Sequence, residues 1–174
     1  RIDNLIFSQR YRGKNEKNEY ELTILKVQEI IELFQKKFNT NASIVLIGSI
    51  AKNYIVNEQN SSYHITRGAL DSLVKYYAVK LGKYGIRCNC ILPTKIIKPE
   101  NKKFYLDPKN KITKLIKKIT PLNIMGDAKD VANLTDFLTS KKSTFLTGLT
   151  IPVDGGTSLL GQEFIANKLI KFKR

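Results

Sequence analysis

The segment Ser62-Tyr63-His64-Ile65-Thr66-Arg67 sets a phenol and a permanent cation one helical turn apart, on one face if the segment is helical. A free tyrosine titrates near pH 10, too high for ready proton exchange at neutral pH, and a fixed positive charge beside it favours the ionised form. Fourteen residues before Tyr63, Gly48-Ser49 closes an apolar run and offers a hydroxyl able to hold a carbonyl oxygen. A phenol that moves a proton, a hydroxyl that donates to an oxygen and a nearby cation are the parts needed for carbonyl reduction or alcohol oxidation. Each also has a structural use, since a serine after a strand caps turns and a tyrosine opening a helix packs. The chemical reading therefore requires Ser49, Tyr63 and Arg67 to face one shared pocket.

The elements that must position these residues alternate between strand and helix. Asn4–Phe7 is a short apolar run suited to a buried strand, followed by a charged link, Gln9–Asn18, with Gly13 as a turn residue. Leu22, Leu25, Ile30, Leu33, Phe34 and Phe38 approximate a helical stripe that Asn39-Thr40-Asn41 stops, before the continuous apolar strand Ile44–Ile47. A polar loop, 52–62, leads into a helix predicted to bury Ile65, Ala69, Leu70, Leu73, Tyr77, Ala78 and Leu81 and to end at Gly82 or Gly85. A third strand, Ile86–Leu92, is halted by Pro93. Residues 94–111 show little periodicity and read either as a substrate lid or as an ordinary surface loop. Asp127 opens a helix whose predicted inner face is Val131, Leu134, Phe137 and Leu138, and a last strand, Thr150–Val153, runs into Asp154-Gly155-Gly156. Strands separated by helices predict an α/β fold with a parallel sheet.

At 174 residues and 42% hydrophobic content the chain is one domain with a sizeable core. The 30 Lys+Arg against 15 Asp+Glu leave +15, but the basic residues are spread along the sequence without an aromatic platform or zinc-finger spacing. They read as a lysine-rich solvated surface, so nucleic acid is not an expected partner. No window approaches eighteen consecutive apolar residues and the first residues show no signal core, so the expectation is cytoplasmic, with no membrane partner. Cys88 and Cys90 alternate on one strand, poorly placed for a disulfide and without companion metal ligands; they read as reduced packing residues, and no metal is expected.

In order and spacing these landmarks resemble the short-chain dehydrogenase/reductase family. Ser49 matches its catalytic serine after a strand, and Tyr63 the tyrosine of its Tyr-x-x-x-Lys motif. Gly68-Ala69-Leu70 and Tyr84-Gly85-Ile86-Arg87-Cys88-Asn89 resemble the helix and strand that follow. Met125-Gly126-Asp127-Ala128-Lys129-Asp130-Val131-Ala132 resembles its "Gly-x-x-x-Asp-Val-Ala" segment, and Leu146-Thr147-Gly148 with Val153-Asp154-Gly155-Gly156 its closing strand. The resemblance implies a Rossmann-like parallel sheet with flanking helices, NAD or NADP as cofactor, and a small carbonyl or alcohol substrate. It implies Ser49, Tyr63 and Arg67 as catalytic residues, with Tyr63, Arg67, Pro93, Thr94 and Ile96 against the cofactor. It also implies homo-oligomers built through the helices near residues 20–38 and 64–83.

Four departures from the family pattern follow. Arg67 replaces a lysine, keeping the charge but practically unable to release a proton. No asparagine stands near Leu22–Leu25, Asn18 being the nearest, and Thr94 replaces the glycine expected after Pro93. The Gly-x-x-x-Gly-x-Gly turn that holds a cofactor pyrophosphate at a helix N-terminus is absent from the sequence. Residues 1–160 are thus expected to be the C-terminal portion of such a domain, truncated at its N-terminal half, with 161–174 a basic tail. Leu5–Phe7 then becomes an apolar sheet edge inviting association with a missing N-terminal half. The alternative to an oxidoreductase is a catalytically impaired, truncated homologue acting as a binding or oligomer-assembly subunit.

Overall fold

The structure, a computed structural model, describes residues 1–170. Four parallel strands form one sheet in sequence order: β1 (Ile2–Phe7), β2 (Phe38–Ile47), β3 (Arg87–Pro93) and β4 (Thr150–Val153). Between β1 and β2 run α1 (Glu16–Tyr20), a π-helical turn (Glu21–Leu25) and α2 (Lys26–Phe34); α3 (Ser61–Gly82) joins β2 to β3. Between β3 and β4 lie α4 (Lys102–Tyr105), α5 (Lys111–Ile119) and α6 (Ala128–Thr139), and α7 (Gln162–Ile170) follows β4. The expected parallel α/β architecture is therefore observed. The last four residues of the predicted basic tail lie outside the described residues, and most of the rest forms α7.

Period-two alternation explains why residues 44–47 of β2 and 90–92 of β3 are continuous apolar runs, since both faces of these segments pack against other elements. Ile44, Leu46, Cys88, Cys90 and Leu92 point to the larger core, where α2 and α3 supply Val27, Ile31, Leu70, Val74, Tyr77 and Leu81. Val45 and Ile91 point the other way, onto Leu138, with Val131 and Leu134 packed beside them. Both cysteines are free, and burial pushes both thiols up, Cys90 to about 12, as suits inert packing groups. Arg87 closes the second layer at its far end: its guanidinium donates to the Leu138 carbonyl at 2.7 Å and to Ser143 Oγ at 2.9 Å, a cation at the C-terminal end of α6. Among the described residues β1 pairs only with β2 and is one of the two edge strands; its Ile6 is 48% exposed.

Several expectations need correction. The inner stripe of α2 is Val27, Ile30 and Ile31, whereas Leu25 and Leu33 are 57% and 65% exposed and Phe38, packed against the core, already belongs to β2. The π turn explains part of this, because an added residue rotates the apolar phase by about 100°. Residues 39–41 do not break the chain between elements; Asn41, at φ +68°, lies within β2, where the β1 register slips. Ile65 and Phe137, predicted to be core, are 54% and 38% exposed. Residues 94–111 are not a bare loop: Pro99–Asn101 and α4 are short helical turns, and α5, unforeseen, begins at Lys111. No described helix is long and apolar enough to cross a membrane.

Candidate active site

The C-terminal ends of β1, β2 and β3 open into a cavity of about 450 Å3. Ser49, Tyr63 and Arg67 line it together, with Pro93, Thr94 and Ile96 on the β3 side. Residues separated in sequence thus meet where a parallel sheet places its loops.

Ser49 follows β2 and sits at the N-cap of a short helical turn, Ile50–Lys52, where its Oγ accepts from the Ala51 amide at 3.2 Å. The capping role leaves room for a chemical one. A hydroxyl accepting one bond keeps its own O–H free to donate toward the cavity. Tyr63 lies in the first turn of α3, which begins where it does because the Asn60 side chain accepts from the Tyr63 amide at 3.2 Å. The neighbouring His64 ties this turn to the loop after Ser49: its Nδ1 meets the Ala51 carbonyl at 3.0 Å, and its Nε2 takes the Val56 amide at 3.3 Å. Nε2 also lies 3.3 Å from the Val56 carbonyl.

Arg67 is 4% exposed, and its guanidinium carbon lies 4.5 Å from the centre of the Tyr63 ring, over the face of the aromatic system. Its charge is held by Glu19, whose Oε1 accepts from Arg67 Nη2, Thr66 Oγ1 and Thr23 Oγ1, each at 3.0 Å. Glu19 is 4% exposed, on α1 immediately before the π turn. Sequence reading missed this residue, assigning the position after the charged link no role. The only available signal was a charge argument, since a buried arginine needs a carboxylate. Asn18 is exposed and bonds Tyr11 Oη, so it does not line the cavity. Tyr54 is a second phenol of the cavity that the sequence left unmarked; burial pushes it up, against a hydrogen bond with the Thr94 side chain.

A second cavity of about 510 Å3 shares the Thr94-Lys95 wall and is lined mainly by apolar side chains from α5, the 120–125 turn and the end of β4. The turn after β4 is fixed by Asp154, which accepts from the Gly156 and Ser158 amides at 2.9 and 2.8 Å. Gly155, at φ +62°, allows this turn to pack: a Cβ there would meet Thr120 Cγ2 at 2.7 Å.

Asp71 locks the scaffold beneath the site. It accepts from Lys52 Nζ and Thr150 Oγ1, both at 2.9 Å, and from Lys75 Nζ at 2.7 Å, joining the turn after Ser49 to α3 and β4. Burial alone would raise this carboxyl, but the bonds from Lys52, Lys75 and Thr150 outweigh it and hold the group well below the usual carboxylate range. Its stabilisation is complete above the unfolded value of about 3.9 and is lost as pH falls toward the folded value. Asp71→Asn is therefore expected to lower Tm near neutral pH, with the gap from wild type closing below about pH 4. Thermal melts across that range decide it; a constant gap removes the linkage.

Comparison with known proteins fits this geometry. The family model described as enoyl-(acyl carrier protein) reductase matches residues 21–158. The chain is 37% identical over 114 residues to a (3R)-3-hydroxyacyl-CoA dehydrogenase of Rattus norvegicus, covering 66% of this chain and 42% of that protein. It is 39% identical over 97 residues to an L-xylulose reductase of Bos taurus, covering 56% of this chain and 39% of that one. The chain thus spans less than half the length of these curated relatives. Among solved structures, a short-chain type dehydrogenase/reductase from Mycobacterium ulcerans superposes with a TM-score of 0.77 at 24% identity, over 91% of this chain and 61% of that one. A 3-oxoacyl-[acyl-carrier protein] reductase with bound NAD from Brucella melitensis gives 0.69 at 22% identity, over 88% and 61%. Both share the Rossmann-like fold. With a family model covering most of its length, the chain belongs to the short-chain dehydrogenase/reductase family, whose members are oxidoreductases.

Proposed function

We propose that this chain carries the proton-transfer half of a nicotinamide-dependent carbonyl reductase or alcohol dehydrogenase. The observation that carries the reading is the convergence of Ser49, Tyr63 and Arg67 on one cavity at the carboxyl ends of the strands. The residues present fit the nicotinamide and ribose portion of NAD or NADP: Pro93 and Ile96 offer apolar walls, and the hydroxyls of Tyr63, Ser49 and Thr94 offer polar contacts. When bound, such a coenzyme supplies or accepts the hydride. In the reductive direction, Tyr63 gives its phenolic proton to the carbonyl oxygen as that oxygen becomes negative, and Ser49 donates a hydrogen bond to the same atom. Arg67, stacked on the ring, holds Tyr63 in place but keeps its own proton, so Tyr63 must be reprotonated by water or a hydroxyl.

The partner expectation belongs to this reading. The β1 edge supports pairing with a further segment of polypeptide, and the exposed Leu25, Leu33, Tyr76 and Val79 on the long helices support contact with a second copy. The reading is tested by following NADH and NADPH oxidation with a panel of ketones and aldehydes in a protein that supplies the remaining family length. Turnover with at least one coenzyme is expected. Absence of both binding and turnover overturns the reading in favour of a non-catalytic subunit.

A further inference from the structure

The cavity shared by Ser49 and Tyr63 is lined by Arg10, Arg67, Lys95 and Lys98, and by no aspartate or glutamate. Arg67 is matched by Glu19 at 3.0 Å. The other three have no carboxylate within ion-pair distance among the described residues. Arg10 stands close to the chemistry, its guanidinium carbon 5.9 Å from the centre of the Tyr63 ring. Arg10 and Lys98 also line the adjoining polar cavity of about 580 Å3, where Arg12 and Lys14 continue the positive charge. Of the carboxylates there, Glu19 is held by Arg67 and Glu100 by Arg12 at 3.0 Å, which leaves Glu58. The two cavities therefore meet at a rim carrying Arg10 and Lys98, neither with a carboxylate within ion-pair distance among the described residues; Arg10 lies beside the phenol, and Lys98 feels Glu100 only at longer range. Charges of one sign in a concave, partly dry site concentrate ligands of the opposite sign, and they do so above whatever the net charge of the surface achieves.

We propose that the substrate of this site is an anionic carbonyl compound, its carboxylate or phosphate held by Arg10 and Lys98 while its carbonyl meets Ser49 and Tyr63. The inference rests on the catalytic reading of that cavity and names the class of compound it takes. Phosphates of a nicotinamide coenzyme share the same chemistry, so the two sources must be separated. The position of Arg10 over the Tyr63 ring favours the substrate, because an anion there lies within one side chain of the reacting oxygen.

The experiment is a ligand-observed NMR titration of the full chain at low ionic strength with acetoacetate and with pentane-2,4-dione, a neutral molecule of similar shape. Acetoacetate is expected to bind more tightly by on the order of tenfold. Replacing Arg10 and Lys98 together by glutamine is expected to erase that preference. Replacing Lys117 and Lys129, which line none of the three cavities, is expected to leave it within about twofold. Equal binding of the two probes overturns the proposal, as does an equal loss on removing the remote lysines. Inorganic pyrophosphate bound at the rim with acetoacetate excluded assigns the cations to the coenzyme and also overturns it. Binding needs no hydride transfer, so Tyr63→Phe, which bears on the catalytic reading, is expected to leave the acetoacetate preference intact.

Discussion

Tyr63→Phe is expected to lower kcat by on the order of 10²–10⁴-fold, with KM little changed, because it removes the proton donor and almost nothing else. The ring remains, and with it the stacking of Arg67 at 4.5 Å, so the pocket keeps its shape. Among the described residues no hydrogen bond of the fold uses the hydroxyl: α3 begins at the Asn60 cap through the backbone amide of Tyr63, and the ring is only part-buried. Thermal stability should therefore match the wild type, which separates a chemical role from a structural one. Ser49→Ala is expected to behave differently. It removes a hydrogen bond to the developing oxyanion and also the cap on the Ala51 amide, so kcat falls by about 10²-fold and Tm falls slightly. Steady-state kinetics on both variants, with melts alongside, give the pattern; unchanged turnover in Tyr63→Phe eliminates Tyr63 as the acid.

What could be read from sequence was local. The spacing of Tyr63 and Arg67 needs only one helical turn, and Ile44–Ile47 needs only two buried faces, so both were visible in short windows. Asp127 and Asp130 announce the start of α6 for the same reason, and the structure closes them into a reciprocal cap. Features set by partners distant in sequence were not visible. Nothing near Glu19 marks it as buried, because what buries it is Thr66 and Arg67 on another helix. Nothing near Leu25 or Leu33 marks them as exposed, because the phase of that helix is set after a π turn that no composition signals. Arg67 itself shows both sides. Its position was legible, but the sequence suggested a charge aimed at a phenol, and the structure shows a cation lying on the ring face and matched by a carboxylate.

Glu19→Ala is expected to cost about 3–5 kcal/mol, the range for breaking a buried ion pair by removing one partner. At this chain length that amounts to a fall in Tm of about 6–20 °C. The cost comes from what is left behind. Thr66 Oγ1 still has the Tyr63 carbonyl at 3.0 Å, but Arg67, 4% exposed, loses its only carboxylate among the described residues. Glu19→Gln should fall between, since an amide oxygen can still accept from Arg67 and the threonines while the opposite charge is gone. The double variant Glu19→Ala, Arg67→Met distinguishes an orphaned charge from a simple cavity: replacing the guanidinium with an apolar chain should recover a large part of the loss, giving strong coupling in a double-mutant cycle. Additive losses, or a Glu19→Ala melt within about 3 °C of wild type, mean that the pair is not what holds this region. The same cycle reaches the chemistry through Tyr63. Arg67 lies on the Tyr63 ring face with Glu19 holding its other side, so on the proposed reading the loss of this carboxylate is expected to lower kcat as well, by freeing the ring of the proposed proton donor.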